Sequence, residues 1–433
     1  MRFENLQDWL TWQESLSPKE IDLGLDRVST VLKNLNFSAD FFCPVITVAG
    51  TNGKGSTVAF AESILHQSGL SVGCYTSPHL FHYNERIRVN QQPVSDETLC
   101  QAFELIDQAR KNIPLTYFEF GTLASLLVFK MLDVDVAVLE VGLGGRLDAV
   151  NVINPDVCII TSIAIDHVDW LGDDIEGIGR EKAGIMRSNR PTVIGFFNPP
   201  RSVLDFAQQT GVHLYRLGHE YLYQRLSAGD WQLNMPDRHL ENLPEPNLHG
   251  SFQMQNAAAA IMAIDLLSLK KKTDTQAVAN GLRQVQLAGR YQLINHKPQV
   301  IVDVAHNEQS AGALSEILRD NPVSGKTLAI VGMLADKAVA EVLNKLFPEV
   351  DIWVSAGLAV PRGMSAKNMA QAVREIDADV KLTACDSVTE ACEYTLKLSQ
   401  DQLTENDRII VFGSFYTVAE ATGFFNARIT ANS

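Results

Sequence analysis

Residues 44–57 read PVITVA-GTNGKGST, and the chain then continues into VAFAESIL. The first six residues are apolar and β-branched, the composition of a buried strand. The helix after them carries Val58, Ala61 and Leu65 on one face. Between strand and helix lies a loop of small residues, Gly50–Thr57. Such a loop turns backbone N–H groups toward an anion, and the helix N-terminus adds its dipole. Gly53 and Gly55 leave room for phosphate, Lys54 can reach the β- and γ-phosphates, and Ser56 or Thr57 can serve magnesium. The strict GxxxxGK[ST] pattern is not met. Val48 stands where its first glycine belongs, and Gly55 intervenes before Ser56. A glycine-rich strand–helix turn without ligand is the plain alternative, but the flanking strand and helix favour a nucleoside triphosphate, ATP or a relative.

Outward from this loop, apolar segments alternate with helical patterns nearly throughout, the pattern of parallel α/β sheets. Strands are expected near 71–76, 134–141, 157–162 and 191–196, and helices over 95–111, 118–132 and 174–187. The stretch 216–250 is short, polar and Gly/Pro-punctuated, which predicts small antiparallel strands. Gln253–Leu269 is alanine-rich and helical. A second alternation follows, with strands expected at 299–304, 326–332, 350–354, 380–383 and 408–413. The reading is an α/β protein of two domains: residues 1–288, an ATP-binding parallel sheet with a small antiparallel part, and 289–433, a Rossmann-like α/β domain. At 433 residues the chain is too long for one core.

Composition narrows the partners. A net charge of −15 argues against a general nucleic-acid binder. No apolar run reaches the roughly 18 residues of a membrane span. The start, MRFENLQDWLTWQ, lacks the apolar core of a signal peptide, so a cytoplasmic location is expected. The six cysteines form no CxxC pair and read as buried hydrophobes. No dimerisation element is visible, and a monomer is expected. No GxSxG elbow occurs, consistent with chemistry carried by nucleotide and metal.

The loop G-T-N-G-K-G-S-T resembles that of the Mur ligase superfamily, and further segments resemble its folylpolyglutamate synthase family. They run in order: IDLGLDRV (21–28), TSPHL (76–80), NERIRV (84–89), TYFEFGT (116–122), LEVGLGGRLDAVN (139–151) and TSIAIDHVDWLG (161–172). GREKAGI (179–185), GSFQMQNAAAA (250–260), GRYQ (289–292), DVAHN (303–307), VGMLADK (331–337) and VFGSFYTV (411–418) complete the series. Twelve in order cover essentially the whole chain. The resemblance implies ATP-dependent ligation of L-glutamate to dihydropteroate and to reduced folates through an acyl phosphate. Activity on folates alone is the nearer alternative. A muropeptide ligase is the more distant one, because only 49 residues precede the loop and those enzymes carry an extra N-terminal domain.

Residue by residue, the resemblance assigns magnesium to Ser77, Glu140 and His167. On their own these read as a loop serine, a strand-end carboxylate that is either ligand or structural, and a structural histidine. Asp166 is expected to support that set from behind. Lys182 alone would read as an exposed lysine; the resemblance makes it an N6-carboxylysine, carbamylated by CO₂, and catalytic together with Lys54 and His167. Asn256 resembles an adenine contact, Arg290 a phosphate contact and Asp303 a ribose contact, although a structural aspartate at a strand end is an equal reading for the last. Glu20, Ile21, Asp22 and Leu23, with Thr116, Tyr117, Phe118 and Glu119, and Leu147, Asp148 and Ala149, match segments lining a pteroate pocket. Phe118 could equally be core. Two domains sharing one nucleotide would imply closure on binding.

Overall fold

Val45–Ala49 (β1) is buried at every position, as a central strand covered on both faces must be. The computed structural model describes residues 2–17, 19, 21–226, 229–269, 271–401 and 404–432. The first unit comprises Met1–Asn247 and Gln253–Gln286. After β1 its strands are β2 (Val72–Tyr75), β3 (Ile87–Val89), β4 (Gln92–Pro93), β5 (Val136–Glu140), β6 (Val157–Ile160), β7 (Pro191–Ile194) and β8 (His213–Arg216). They form one sheet in the order β4-β3-β2-β5-β1-β6-β7-β8. All pairings are parallel except β2–β3 and β3–β4, a hairpin at one edge. A smaller antiparallel sheet holds β9 (Leu222–Arg225), β10 (Trp231–Met235) and β11 (Arg238–Leu243).

The helix Lys54–Gln67 is buried from Ser56 to Leu65, not along one face as its sequence suggests. The second side is covered by the helix Thr275–Gln284, whose Gly281 lets the two backbones close up. A Cβ at Gly281 would lie 2.6 Å from Ile64 Cγ1, and Ser63 Oγ donates to the Gly281 carbonyl at 2.9 Å. Burying a side chain such as Phe60 or Ile64 contributes roughly 1.5–3 kcal/mol, so the helix that starts at the glycine loop is firmly seated. The helix Tyr117–Met131 starts at a capping box, in which Thr116 Oγ1 accepts from Glu119 N and Glu119 accepts from Thr116 N.

The second unit comprises Leu248–Phe252 and Leu287–Ser433. Its sheet contains β12 (Gln292–His296), β13 (Gln299–Asp303), β14 (Thr327–Val331), β15 (Ile352–Ala356), β16 (Leu382–Cys385) and β17 (Arg408–Phe412). The order is β12-β13-β17-β14-β15-β16, parallel except for β12 against β13. Its core gathers Ile301, Val331, Trp353, Ile410 and Phe412.

Several expectations need correction. The helix expected to Arg187 ends at Ala183, where Gly184 caps it and the chain passes into tighter turns, Ile185 N donating to Lys182 O and Met186 N to Ala183 O. Arg216 belongs to β8 of the main sheet, so the antiparallel region begins only at Leu222. The edge strands β4 and β12, and β3 beside β4, were not anticipated. All three are short, and the two edges are mostly polar, as edges commonly are. Among the described residues no helix is long and apolar enough to cross a membrane.

Candidate active site

Four parallel strands, β2, β5, β1 and β6, lie side by side, and their registers end together: Tyr75 beside Leu139, Glu140 beside Val48, Ala49 beside Ile160. The loops after them therefore leave the sheet along one edge, the carboxyl edge where such sheets hold ligands. These loops carry Gly50–Gly53, Ser77, Gly142–Ala149 and Asp166–His167.

The glycine loop is tied to the segment after β6. Thr51 N donates to Ser162 O at 2.9 Å, and Asn52 N to Ser162 Oγ at 2.9 Å. Thr161 Oγ1 donates to Asn52 O at 2.6 Å, and Thr51 Oγ1 to Ala164 O at 3.0 Å. Gly53 adopts φ +85°, and a Cβ there would sit 2.6 Å from Asn256 Oδ1. Both the backbone and the buried Asn256 therefore demand glycine. Asn256 is oriented by Nδ2 donating to Gln253 Oε1 at 3.0 Å. Lys54 Nζ folds onto the loop, donating to the carbonyls of Gly50 and Thr51 at 3.0 Å each. Gly55 is half-buried, and Ser56 and Thr57 are buried at the helix start.

A pocket collects Gly50, Thr51, Lys54, Gly142–Gly144, Asp166, His167, Leu171 and Lys182. The Lys182 side chain comes from the helix Ile175–Ala183, and the residue is only 3% exposed, contrary to the solvent-facing reading of an arbitrary lysine. Burial and the neighbouring Lys54 ammonium lower its amine to about 7, while Asp166 pulls the other way. Near neutral pH much of this amine is uncharged and nucleophilic.

Glu140 is buried at the end of β5, and its Oε2 accepts from Ser77 N at 3.2 Å. His167, exposed, sits in the left-handed region with φ +53°, and its N–H donates to Asp166 Oδ1 at 2.8 Å. The structure thus brings Ser77 to Glu140 and places His167 in the pocket of Lys54 and Lys182. Among the described residues no three His, Cys, Asp or Glu side chains form a self-contained metal cluster. A carboxylate and a serine oxygen suit a hard cation that takes its remaining ligands from phosphates and water.

The segments expected to line a pteroate pocket converge through a residue the sequence reading left without a role. Arg27, in LDRV, pairs with Asp22 (Nη1 to Oδ2, 2.7 Å) and with buried Glu119 (Nη2 to Oε1, 3.1 Å). Ile21, Asp22 and Leu23 are half-buried, whereas Glu20 lies outside the described residues. Gly24 N donates to Leu147 O at 3.2 Å, which joins this segment to the 142–149 loop. Phe118 packs against Gly142 and, at 5.8 Å between centroids, against Tyr75; Tyr117 lies edge-on to Tyr83. Asp148 is buried. Its carboxylate accepts from Leu143 N at 2.8 Å and Val150 N at 2.9 Å, and burial pushes it up to about 6. Asp148 and buried Ala149 therefore shape the loop from beneath, and half-buried Leu147 is the more accessible of the three.

Arg27→Ala would strand the buried Glu119 carboxylate. Removing one partner of a buried pair costs about 3 kcal/mol or more. We expect a lower denaturant midpoint and a raised KM for the acid substrate, with the KM for ATP unchanged. An unaltered midpoint would show that Glu119 does not depend on Arg27.

In the second unit, Asp303 ends β13, and its carboxylate accepts from Tyr291 N and Ala305 N at 2.8 Å each. Burial raises its pKa, opposed by Arg290 and these two N–H groups. The Arg290 guanidinium lies 5.6 Å over the Phe415 ring, and His306 Nδ1 is 2.8 Å from Val304 O.

Comparison with known proteins identifies the family. The Mur ligase middle domain matches residues 48–264, and the Mur ligase glutamate ligase domain matches 289–415. The chain is 42% identical over 425 residues to the dihydrofolate synthase/folylpolyglutamate synthase of Escherichia coli, covering 98% of this chain and 96% of that protein. It is 40% identical over 436 residues to the enzyme of the same name from Haemophilus influenzae, covering 96% of each. The structure of E. coli FolC in complex with DHPP and ADP matches with a TM-score of 0.91 and 41% identity, over 98% of this chain and 99% of that one. A bifunctional folylpolyglutamate synthase/dihydrofolate synthase with Mn, AMPPNP and L-glutamate bound matches with a TM-score of 0.87 and 39% identity, over 98% of each chain. With its nucleotide loop, buried lysine and strand-end carboxylate on one sheet edge, this chain belongs to the dihydrofolate synthase/folylpolyglutamate synthase family of the Mur ligases, ATP-dependent ligases of glutamate.

Proposed function

We propose that this chain joins L-glutamate to dihydropteroate and to reduced folates, consuming MgATP, at the pocket shared by Lys54, His167 and Lys182. The observation that carries the site is the convergence of the glycine loop, the 142–149 loop and buried Lys182 on one sheet edge. A carboxylate needs a better leaving group than oxide before an amine can displace it. The substrate carboxylate attacks the γ-phosphorus of ATP, the bond to ADP breaks, and an acyl phosphate forms. The glutamate amine then adds to the acyl carbon, loses a proton and expels phosphate.

The protein's part is charge and position. Lys54 exchanges its two loop carbonyls for phosphate oxygens as negative charge builds on the transferred group. Gly53, Gly55 and Ser56 present the loop to the phosphates. Asn256, beside Gly53, is the proposed adenine contact, a reading supported by the resemblance of its motif. Ser77, Glu140 and His167 would hold magnesium, which when bound would supply charge neutralisation at the phosphates. Asp22, Glu119 and Phe118, with Ile21, Leu23, Thr116, Tyr117 and the Leu147–Ala149 turn, hold the pteroate group. In the second unit Arg290 and Asp303 are the proposed phosphate and ribose contacts, a reading supported by the resemblance of their motifs. The neutral Lys182 amine takes up CO₂: its lone pair forms the N–C bond as a C–O π pair moves onto oxygen, one N–H proton leaves to solvent, and an anionic carbamate replaces a neutral amine.

ATP turnover to ADP and phosphate should require both an acid and glutamate. Release of AMP and pyrophosphate, or turnover without glutamate, would contradict the assignment. Glu140→Ala and His167→Ala should each raise the magnesium concentration for half-maximal rate by roughly tenfold or more. Unchanged magnesium titrations in both would remove these residues from the metal site.

A further inference from the structure

Beside the catalytic pocket the first unit opens a second cleft of about 360 Å³, between the 142–149 loop, the short helix Val168–Leu171 and the helices Ile175–Ala183 and Arg201–Thr210. Leu171 lines both, so the cleft adjoins the pocket of Lys54, His167 and Lys182. One loop also links the parts: Gly142–Gly144 face the pocket, Arg146 enters the cleft, and Leu147 follows on the pteroate side. Two chemistries alternate in the lining. Trp170, Leu171 and Phe206 are apolar, and Trp170 is 47% exposed. Arg146, Arg180 and Glu181 are charged, with a net charge of +1 from two cations and one anion.

The pairing within this set leaves a cation available. Glu181 Oε1 is held by Arg146 Nε and Nη2 at 3.0 and 2.8 Å, so the anion is already compensated and the third Arg146 nitrogen takes no part. Arg180 lies 4.0 Å from Asp174, with both side chains well solvated, and its charge also acts on Glu176. Such a pair contributes little and yields readily to a better-placed carboxylate. On a chain of net charge −15, cations lining a cleft beside the reaction pocket select an anionic ligand.

We propose that this cleft receives the oligoglutamyl tail of folate substrates that already carry several glutamates, a reading that rests on the folate-extending activity assigned above. Whichever carboxyl forms each amide, every added glutamate leaves one free carboxylate and two methylene groups. Arg180 and Arg146 take the carboxylates, and Trp170, Leu171 and Phe206 take the methylenes. Dihydropteroate, which has no tail, does not use the cleft.

The test compares dihydropteroate, tetrahydrofolate monoglutamate and tetrahydrofolate triglutamate with wild type, Arg180→Gln, Arg180→Glu and Arg146→Gln. Arg180 is solvated, so its replacements should fold. The KM for the triglutamate should rise roughly tenfold in Arg180→Gln, the loss of one charged hydrogen bond, and further in Arg180→Glu. The kcat, and the KM for dihydropteroate and for ATP, should stay within about twofold, as for other solvated charges. An unchanged triglutamate KM overturns the proposal and leaves the ligation itself standing. An equal rise for dihydropteroate also overturns it, since the cleft would then hold a part common to all the acids. Wild type that consumes dihydropteroate but no folate overturns both this proposal and the folate-extending reading, and that failure shows before any variant is made.

Discussion

Lys54→Ala should abolish ligation while the protein remains folded. In the structure its ammonium bonds to the carbonyls of Gly50 and Thr51 at the mouth of the pocket, so water can replace it there at little cost. During transfer it is the loop's cation at the β- and γ-phosphates, and one such contact is worth ~3 kcal/mol or more in the transition state. That corresponds to a rate loss of roughly a hundredfold or greater. A second effect adds to it: after burial, Lys54 is a cause of the low pKa of Lys182, so its removal shifts the buried amine toward its protonated form. Circular dichroism and the thermal midpoint should match wild type. Near-normal turnover in that folded variant would sink the nucleotide assignment.

Lys182→Arg should be nearly as damaging. A guanidinium stays charged at any working pH and forms no equivalent carbamate. It would place a permanent cation in a buried position beside Lys54. If Lys182 instead works as a cation, arginine should be tolerated. Lys182→Ala should also be inactive, and a short carboxylic acid should restore part of its rate by filling the vacated space, whereas bicarbonate should not. The pH dependence has a definite sign. Because the amine titrates near 7, CO₂ uptake becomes easier as pH rises through that value and harder below it. Enzyme stripped of CO₂ below pH 7 should therefore lose activity and regain it when bicarbonate is added near pH 8. Native mass spectrometry showing an unmodified amine, together with an active Lys182→Arg, would end the carbamate reading.

The parts of this site that lie on continuous segments were legible in the sequence. A β-branched run, a glycine loop and a helix are local patterns, and the structure has them at Val45–Ala49, Gly50–Gly53 and Lys54–Gln67. Glu140 was readable as a strand-end carboxylate because the apolar run VDVAVL stops there. What the sequence hid depends on partners far along the chain. Arg27 meets Glu119 across 92 residues, and nothing in LDRV announces it. Lys182 has the surroundings of a surface lysine in GREKAGI, and only the tertiary packing of its helix buries it. The all-round burial of the helix Lys54–Gln67 likewise needs Gly281 from a helix more than two hundred residues later. Edge strands such as Gln292–His296 escape for another reason: their exposed faces relax the alternation that marks a strand.

The central claim is that the substrate carboxylate is activated by taking the γ-phosphoryl group of ATP before glutamate attacks. The most direct measurement supplies dihydropteroate with both carboxylate oxygens isotopically heavy, then follows the label into the products by mass spectrometry or phosphorus NMR. The account predicts that each turnover delivers one heavy oxygen to inorganic phosphate and leaves the other in the new amide carbonyl, with ADP unlabelled. Heavy oxygen in AMP, or phosphate free of label while amide accumulates, would contradict it.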